Sequence, residues 1–169
     1  MSERPSVLER LSTALNSSDL TFDPVHRGDL DFVAALGIAS SRHSAVAGPV
    51  MRIHLAGTPD DLRAAFNAVL SLVKRLNAKK NWRLVGHSIQ AVALHSLSHH
   101  VNPVCPHCSG RKFELQEGSP VLSTKACAHC RGTGRRQVQK KHRDQINQVI
   151  AALESIDEVT ERAVARLVR

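Results

Sequence analysis

Four cysteines are the residues of this sequence whose type and spacing point most directly to chemistry. They form two Cys-x-x-Cys pairs separated by 18 residues, and the 169-residue chain contains no other cysteine. Two such pairs supply the four thiolates that tetrahedral Zn²⁺ prefers, and four protein ligands leave no open position for catalysis. The pattern therefore predicts a structural zinc ion held by Cys105, Cys108, Cys127 and Cys130. Two disulfides, or four reduced cysteines spaced by accident, are the alternatives.

The segment between the two pairs has the pattern of a short β-hairpin. Apolar and polar residues alternate over 113–116 (Phe-Glu-Leu-Gln), and a Gly-Ser-Pro run at 118–120 precedes Val121 and Leu122. Alternation is typical of a strand, and glycine and proline are typical of the turn that ends it. We expect a hairpin with one cysteine pair at each end.

Helices are expected around this hairpin. Aromatic residues make up 3% of the chain, so the core must consist largely of aliphatic side chains, a mixture that favours helices. The clearest helix begins at Thr58-Pro59-Asp60-Asp61, with a capping hydroxyl, proline in the first turn and early acids, and continues as an apolar stripe to Leu76. Further helices are predicted over 5–16, over 29–37, around 50–57, from Trp82 to near Asn102, and as two short helices after Asp144, the last one started by a Ser155–Glu158 capping box.

These elements predict a mainly α fold: a small helical domain with an inserted, zinc-bound β-hairpin whose ion has four cysteine ligands. We divide the chain into a helical body (1–103), a zinc-binding hairpin (104–134) and a basic C-terminal helical segment (135–169), which together form one compact unit. The opening residues lack the apolar run of a signal peptide, and no stretch approaches the ~18 apolar residues of a membrane span. We expect a soluble, cytoplasmic protein without membrane partners.

Positive charge is concentrated in one part of the sequence. The formal net charge is +8, and residues 62–143 carry 15 lysines and arginines against two acids. The densest group follows the second cysteine pair: Arg131, Arg135, Arg136, Lys140, Lys141 and Arg143. A second basic patch precedes the first pair: Lys74, Arg75, Lys79, Lys80 and Arg83. Contact with the phosphates of duplex DNA is one interpretation, and an acidic protein surface or a solvated face is the other.

Several functions are disfavoured by missing motifs. None of the ten histidines is followed two residues later by glutamate, as a zinc deaminase requires, and no nucleophile elbow or phosphate-binding glycine motif is present. We therefore expect neither catalysis nor a small-molecule substrate. Five histidines near the cysteines, namely His95, His99, His100, His107 and His129, are interpreted as surface residues.

Each cysteine pair is followed by glycine. Residues 127–134 (Cys-Ala-His-Cys-Arg-Gly-Thr-Gly) form a complete C-x-x-C-x-G-x-G motif, and residues 105–110 (Cys-Pro-His-Cys-Ser-Gly) form the same motif without its last glycine. This pattern resembles half of the cysteine-rich region of DnaJ-type chaperones. Those proteins carry four such motifs beside a J-domain, whereas this sequence has two and no His-Pro-Asp triplet. The alternative function is thus a zinc-stabilised protein-binding or DnaJ-like module without nucleic-acid binding.

A second resemblance covers roughly residues 28–169 and depends on the order of the elements. A helical segment of small residues (31–40), a long amphipathic helix and a further helix lead into one C-x-x-C-x-G motif; a spacer, a second motif and a helical C-terminus follow. This order is similar to that of the late-gene antitermination protein Q family of lambdoid phages.

The resemblance implies a phage transcription regulator acting in the cytoplasm of a bacterial host. Such a protein binds duplex DNA near a late promoter together with paused RNA polymerase and its sigma factor, and then allows the polymerase to read through terminators. Under this resemblance the four cysteines are the zinc ligands. The DNA-facing region then begins with Arg135, Arg136, Lys140, Lys141 and Arg143.

Overall fold

The computed structural model of this chain describes Thr13 and residues 29–55, 57–116 and 118–167. These residues contain five helices and one two-stranded antiparallel sheet: α1 (Asp29–His43), α2 (Ala47–Leu55), α3 (Pro59–Lys80), α4 (Gly86–Val101), β1 (Phe113–Leu115), β2 (Leu122–Ala126) and α5 (Arg143–Leu167). A mainly helical fold with a small β-hairpin beside four clustered cysteines is thus confirmed. Of the helix predicted over 5–16 the structure describes only Thr13, which is helical; the rest lies outside the described residues.

The chain divides into two compact units. One consists of residues 1–68 and 152–169, and the other of residues 69–151. The three-segment division inferred from the sequence stays a prediction. Among the described helices, none combines the length and the apolar character needed to cross a lipid bilayer.

The first unit is built on small apolar side chains. Helices α1 and α2 contact each other. Helix α1 continues six residues past its predicted end at Gly37, and within it the hydroxyls of Ser40 and Ser41 donate to the carbonyls of Gly37 and Ile38. The buried cluster contains Ala35, Leu36, Ala39, Met51 and Val164.

The start of α3 confirms the capping pattern read from the sequence. The backbone N–H of Asp61 donates to Thr58 Oγ1 (3.2 Å), and the N–H of Thr58 donates to Asp61 Oδ2 (3.3 Å). This reciprocal arrangement satisfies two donors that the first helical turn leaves open. The Thr58 hydroxyl, supported by Arg52 at 3.3 Å, keeps the pKa of Asp61 below its ordinary value, although burial opposes the shift.

In the second unit, α4 begins four residues later than predicted. The side-chain amide of Asn77 donates to the carbonyl of Leu84 (3.1 Å), and its oxygen accepts the Leu84 N–H (3.0 Å). Asn81 and Arg83 adopt positive φ angles of 51° and 59° in the intervening turn. The Asn77 clamp and these left-handed residues hold Trp82–Val85 out of the helix.

The C-terminal helix corrects a prediction. Instead of two short helices, residues 143–167 form one continuous helix, and Glu158 lies 3.5 Å from Arg162 rather than closing a capping box at Ser155. The buried positions continue across Ser155 at helical spacing: Ile146, Val149, Ile150, Leu153, Thr160 and Val164. A continuous apolar stripe stabilises one long helix more than a local cap stabilises a break.

Candidate metal centre

The four cysteine side chains converge at one point of the second unit. Their sulfur atoms all lie within 4.8 Å of one another, and each residue is buried, with exposures of 1–4%. Cys108 Sγ lies 3.7 Å from Cys130 Sγ, far longer than a disulfide, and all four cysteines are free. The disulfide alternative is thereby disfavoured, and the cluster can hold a metal ion.

The separation of the Cys108 and Cys130 sulfurs fits one edge of a tetrahedral ion. Four sulfurs placed about 2.3 Å from a tetrahedral Zn²⁺ lie about 3.8 Å from one another. The Cys108–Cys130 separation of 3.7 Å matches this edge. Sulfur-only ligation also selects soft or borderline metals over magnesium or calcium. Cys105, Cys108, Cys127 and Cys130 are the residues that would hold the ion, and a set of four leaves no position open.

The two cysteine pairs follow the same backbone course. The two residues after Cys108, Ser109 and Gly110, have φ angles of 47° and 81°; the two after Cys130, Arg131 and Gly132, have 54° and 79°. Two residues further along each segment, φ is positive again, at Lys112 (72°) and Gly134 (73°). Lys112 therefore occupies the position of the glycine that the first motif lacks. Its spacing from Cys108 could have revealed this equivalence from the sequence, but a lysine at the position concealed it.

Backbone hydrogen bonds tie each half of the centre to the other. The N–H of Cys105 donates to the carbonyl of Gly134 (2.9 Å), and the N–H of Cys127 donates to the carbonyl of Lys112 (2.9 Å). Within the halves, Arg111 donates to the Cys108 carbonyl (2.9 Å) and Thr133 to the Cys130 carbonyl (3.1 Å). The centre is therefore built from two equivalent loops, each closed on the other.

Gly134 is the one glycine of the centre that steric contact requires. A Cβ atom at this position would lie 2.8 Å from the carbonyl oxygen of Gly110, closer than real Cβ contacts. The Gly134 N–H also donates to Cys130 Sγ (3.2 Å). The absence of a Cβ thus lets the Gly134 backbone lie close to Gly110 while its N–H reaches the Cys130 sulfur.

The two closest thiols have pKa values displaced in opposite directions. Burial raises the pKa of Cys108 to about 11. Burial also acts to raise the pKa of Cys130, but the backbone N–H of Gly134 and the neighbouring Cys108 thiol outweigh it and lower that pKa to about 6. The lowered pKa favours the thiolate at Cys130, and the raised pKa favours the protonated thiol at Cys108. Metal binding by all four sulfurs therefore releases protons.

The histidines near the cysteines have different environments. His107 and His129 occupy equivalent positions in the two loops and are exposed, with ring centroids 3.5 Å apart. His95, His99 and His100 are only partly exposed, and His99 Nε2 lies 3.1 Å from the carbonyl oxygen of Arg136. The two loop histidines are thus surface residues as predicted, whereas the three on α4 are partly covered and His99 has a partner on the strap.

The hairpin forms where the alternation indicated it. Phe113 pairs with Ala126 and Leu115 with Leu122, with an irregularity between the two pairs. The turn is closed by the N–H of Gln116, which donates to the Val121 carbonyl (2.9 Å).

The basic residues after the second pair lie mostly on a strap, residues 135–142, which precedes α5. The strap is not helical, although the sequence predicted a helical segment from residue 135. Arg136 is only partly exposed, and its Nη1 donates to Ser98 Oγ on α4 (2.9 Å). Its backbone N–H donates to the carbonyl of Pro103 (2.7 Å). Arg136 therefore anchors the strap to the second unit, a role its residue type did not indicate. The exposed members of the group are Arg131, Arg135, Lys140, Lys141 and Arg143.

The second basic patch is exposed at all five positions: Lys74, Arg75, Lys79, Lys80 and Arg83. Four of its members are on α3, and the Nζ of Lys80 donates to Gln148 Oε1 of α5. Cations near a helix C-terminus interact favourably with the helix dipole. The patch is thus explained structurally by stabilisation of the C-terminal end of α3, in addition to the predicted contact with phosphates.

No protein-family model and no curated protein matches the sequence. Both resemblances therefore stay predictions.

Proposed function

We propose that this protein is a zinc-stabilised, DNA-binding transcription antitermination factor of the lambdoid phage Q type. The observation that carries the proposal is the placement of the strap. It begins directly after the metal centre, carries exposed cations, and is held at its start by the bonds of Gly134 and Arg136. Residues 69–151 contain 14 lysines and arginines against three acids. A strongly basic segment of this kind is suited to phosphate contacts.

Zinc is the metal we propose for the four-cysteine centre. Its role is structural, because four thiolates complete a tetrahedral ion and leave none of its positions for a substrate. The ion would connect the two loops and thereby fix where the strap begins. We assign no catalytic role to the centre.

The proposed DNA contact is electrostatic. Arg131, Arg135, Lys140, Lys141 and Arg143 would lie along duplex phosphates near a late promoter, with the second basic patch as an additional contact. Each phosphate neutralised releases counterions, so the logarithm of the binding constant falls with the logarithm of salt concentration by about 0.9 per contact. The protein partner in this proposal is bacterial RNA polymerase with its sigma factor.

A reconstituted transcription assay tests the proposal. The template carries the chain's own late promoter upstream of a terminator, and readthrough is measured with and without the purified, zinc-loaded protein. We expect readthrough to rise, and to fall back when Arg135 and Lys140 are both changed to alanine. Arg63→Ala, which removes a 75%-exposed cation of the first unit, is the matched control and should leave readthrough unchanged.

Unchanged readthrough with zinc-loaded protein contradicts the proposal. If the same protein then suppresses aggregation of an unfolded client and binds no duplex DNA, the alternative protein-binding or DnaJ-like function replaces it. Loss of readthrough in Arg63→Ala as large as in the strap variant would contradict the assignment of DNA contacts to the strap.

A further inference from the structure

The hairpin has one apolar face without a covering element among the described residues. Directly opposed residues of an antiparallel pair point to the same side of a sheet, so Phe113, Leu115, Leu122 and Ala126 share one face. Phe113, Leu115 and Leu122 are 39%, 43% and 44% exposed. Large side chains of this type are normally buried, and a contiguous exposed group of them marks an interaction site.

The other face of the hairpin is polar and satisfied internally. Glu114 Oε2 lies 2.9 Å from Lys125 Nζ, and Glu114 Oε1 accepts the backbone N–H of Ala128 (3.4 Å). The Lys125 ammonium is the largest cause that lowers the pKa of Glu114. The polar face therefore has its own partners, while the apolar face has none in the part of the chain that the structure describes.

A groove of about 450 Å³ adjoins the apolar face. Phe113, Leu115 and Ala128 contribute apolar walls. The rest of the lining consists of the paired rings of His107 and His129 together with Cys108, Arg111, Glu114 and Cys127. Sites of about 300–1,000 Å³ receive small ligands or anchoring side chains. The groove is large enough for one or more apolar side chains of a partner.

The charges beside this surface define the partner's chemistry. Glu114 in the groove is neutralised by Lys125, whereas Arg111 in the same groove, and Lys112 directly before Phe113, form no ion pair with any described acid. A second copy of this chain would bring the same cations face to face, which is unfavourable. Duplex DNA would match the charge, but its phosphates would not make use of an apolar groove. A protein surface with apolar residues inside an acidic rim matches both features.

We propose that the apolar face of the hairpin binds an acidic amphipathic segment of a partner protein. Apolar side chains of that segment enter the groove beside Phe113 and Leu115, and its carboxylates lie near Arg111 and Lys112. This surface differs from the strap that we assign to DNA, so the two proposals can fail separately.

Peptide binding by the zinc-loaded full-length chain tests this proposal. The probe is a fluorescent synthetic amphipathic helix of leucine and glutamate, and its control has lysine in place of glutamate. We expect anisotropy to show affinity for the acidic peptide at least about tenfold higher than for the basic one, decreasing with added salt. The double variant Leu115→Ser with Leu122→Ser should lower that affinity by about tenfold or more.

The matched control is Leu94→Ser, because Leu94 lies on α4 of the same unit and is 55% exposed. It should bind the acidic peptide like the unchanged protein, and zinc content of one ion per chain verifies that each variant retains its centre. Equal affinity for both peptides, or unchanged binding in the double variant, overturns the proposal. A concentration-dependent dimer that the double variant abolishes would assign the face to a second copy and also overturn it.

Discussion

Residues 105–113 and 127–135 of the metal centre share a backbone course but not a set of side chains. Both segments begin with a Cys-x-x-Cys pair and pass through three residues of positive φ, yet the last of these is Lys112 in one and Gly134 in the other. The comparison shows that a repeated motif is defined by its backbone and its ligands. A missing glycine in the sequence does not mean that the conformation is missing.

The two segments differ after their shared course ends. Past Lys112 the chain continues as β1 and pairs with β2, whereas past Gly134 it forms the isolated bridge between Val104 and Arg135 and then turns to α4 through Arg136. One side of the centre thus carries an exposed hairpin and the other an anchored strap. The same local unit therefore supports two different surfaces.

The largest expected effect comes from removing a ligand. Cys127→Ser should weaken zinc affinity by more than about 100-fold, the upper end of what loss of a supporting residue costs, because a ligand bonds the ion directly. The hairpin should then become sensitive to protease. Metal content after dialysis against a chelator measures the loss. Cys105→Ser should lose zinc to the same extent. If only one of the two variants lost zinc, the equivalence of the two segments would be contradicted.

The next effect distinguishes the two positions of positive φ. Gly134→Ala should lower the free energy of unfolding by at least about 1–2 kcal/mol, because alanine disfavours the left-handed region and its Cβ would approach the Gly110 carbonyl oxygen. Lys112→Ala should change it by less than about 0.5 kcal/mol, since Lys112 already has a Cβ. Urea unfolding of zinc-loaded protein measures both, and equal losses would contradict the close contact at Gly134.

A smaller effect separates anchoring from surface charge on the strap. Arg136→Ala should destabilise the protein by about 1 kcal/mol, because it removes the bond to Ser98. Arg135→Ala should leave stability within about 0.5 kcal/mol and should lower the salt dependence of DNA binding by about one phosphate contact. Urea unfolding and DNA binding at several salt concentrations measure the two. The reverse pattern would mean that Arg136, rather than Arg135, faces the phosphates.

The smallest effect is a gain. Lys112→Gly should stabilise the zinc-loaded protein by less than about 1 kcal/mol, because glycine relieves the left-handed strain while increasing the entropy of the unfolded chain. The change also completes the motif of the first segment. Urea unfolding detects it, and a loss of stability would show that the Lys112 side chain makes a favourable contact that outweighs the strain.

Signals read correctly from the sequence were local ones. The cysteine spacing, the alternation of the hairpin and the Thr58 cap each involve groups a few residues apart, or ligands that a single ion would join. Their geometry is set by short stretches of backbone, so residue type and spacing are sufficient. The capping box predicted at Ser155 was also a local signal, but it was wrong. A weak local preference there is outweighed by a longer buried stripe that continues from Ile146 to Val164.

The sequence by itself determined that four thiols meet and that a short hairpin lies between the pairs. Only the tertiary structure decided what surrounds them. Arg136 appears as one cation among six in the sequence, but α4 supplies Ser98 and makes it an anchor. Phe113 and Leu115 appear in the sequence as the apolar positions of an alternating strand, yet no described element covers them. The physical reason is that burial and pairing depend on groups distant in sequence, which residue spacing alone does not specify.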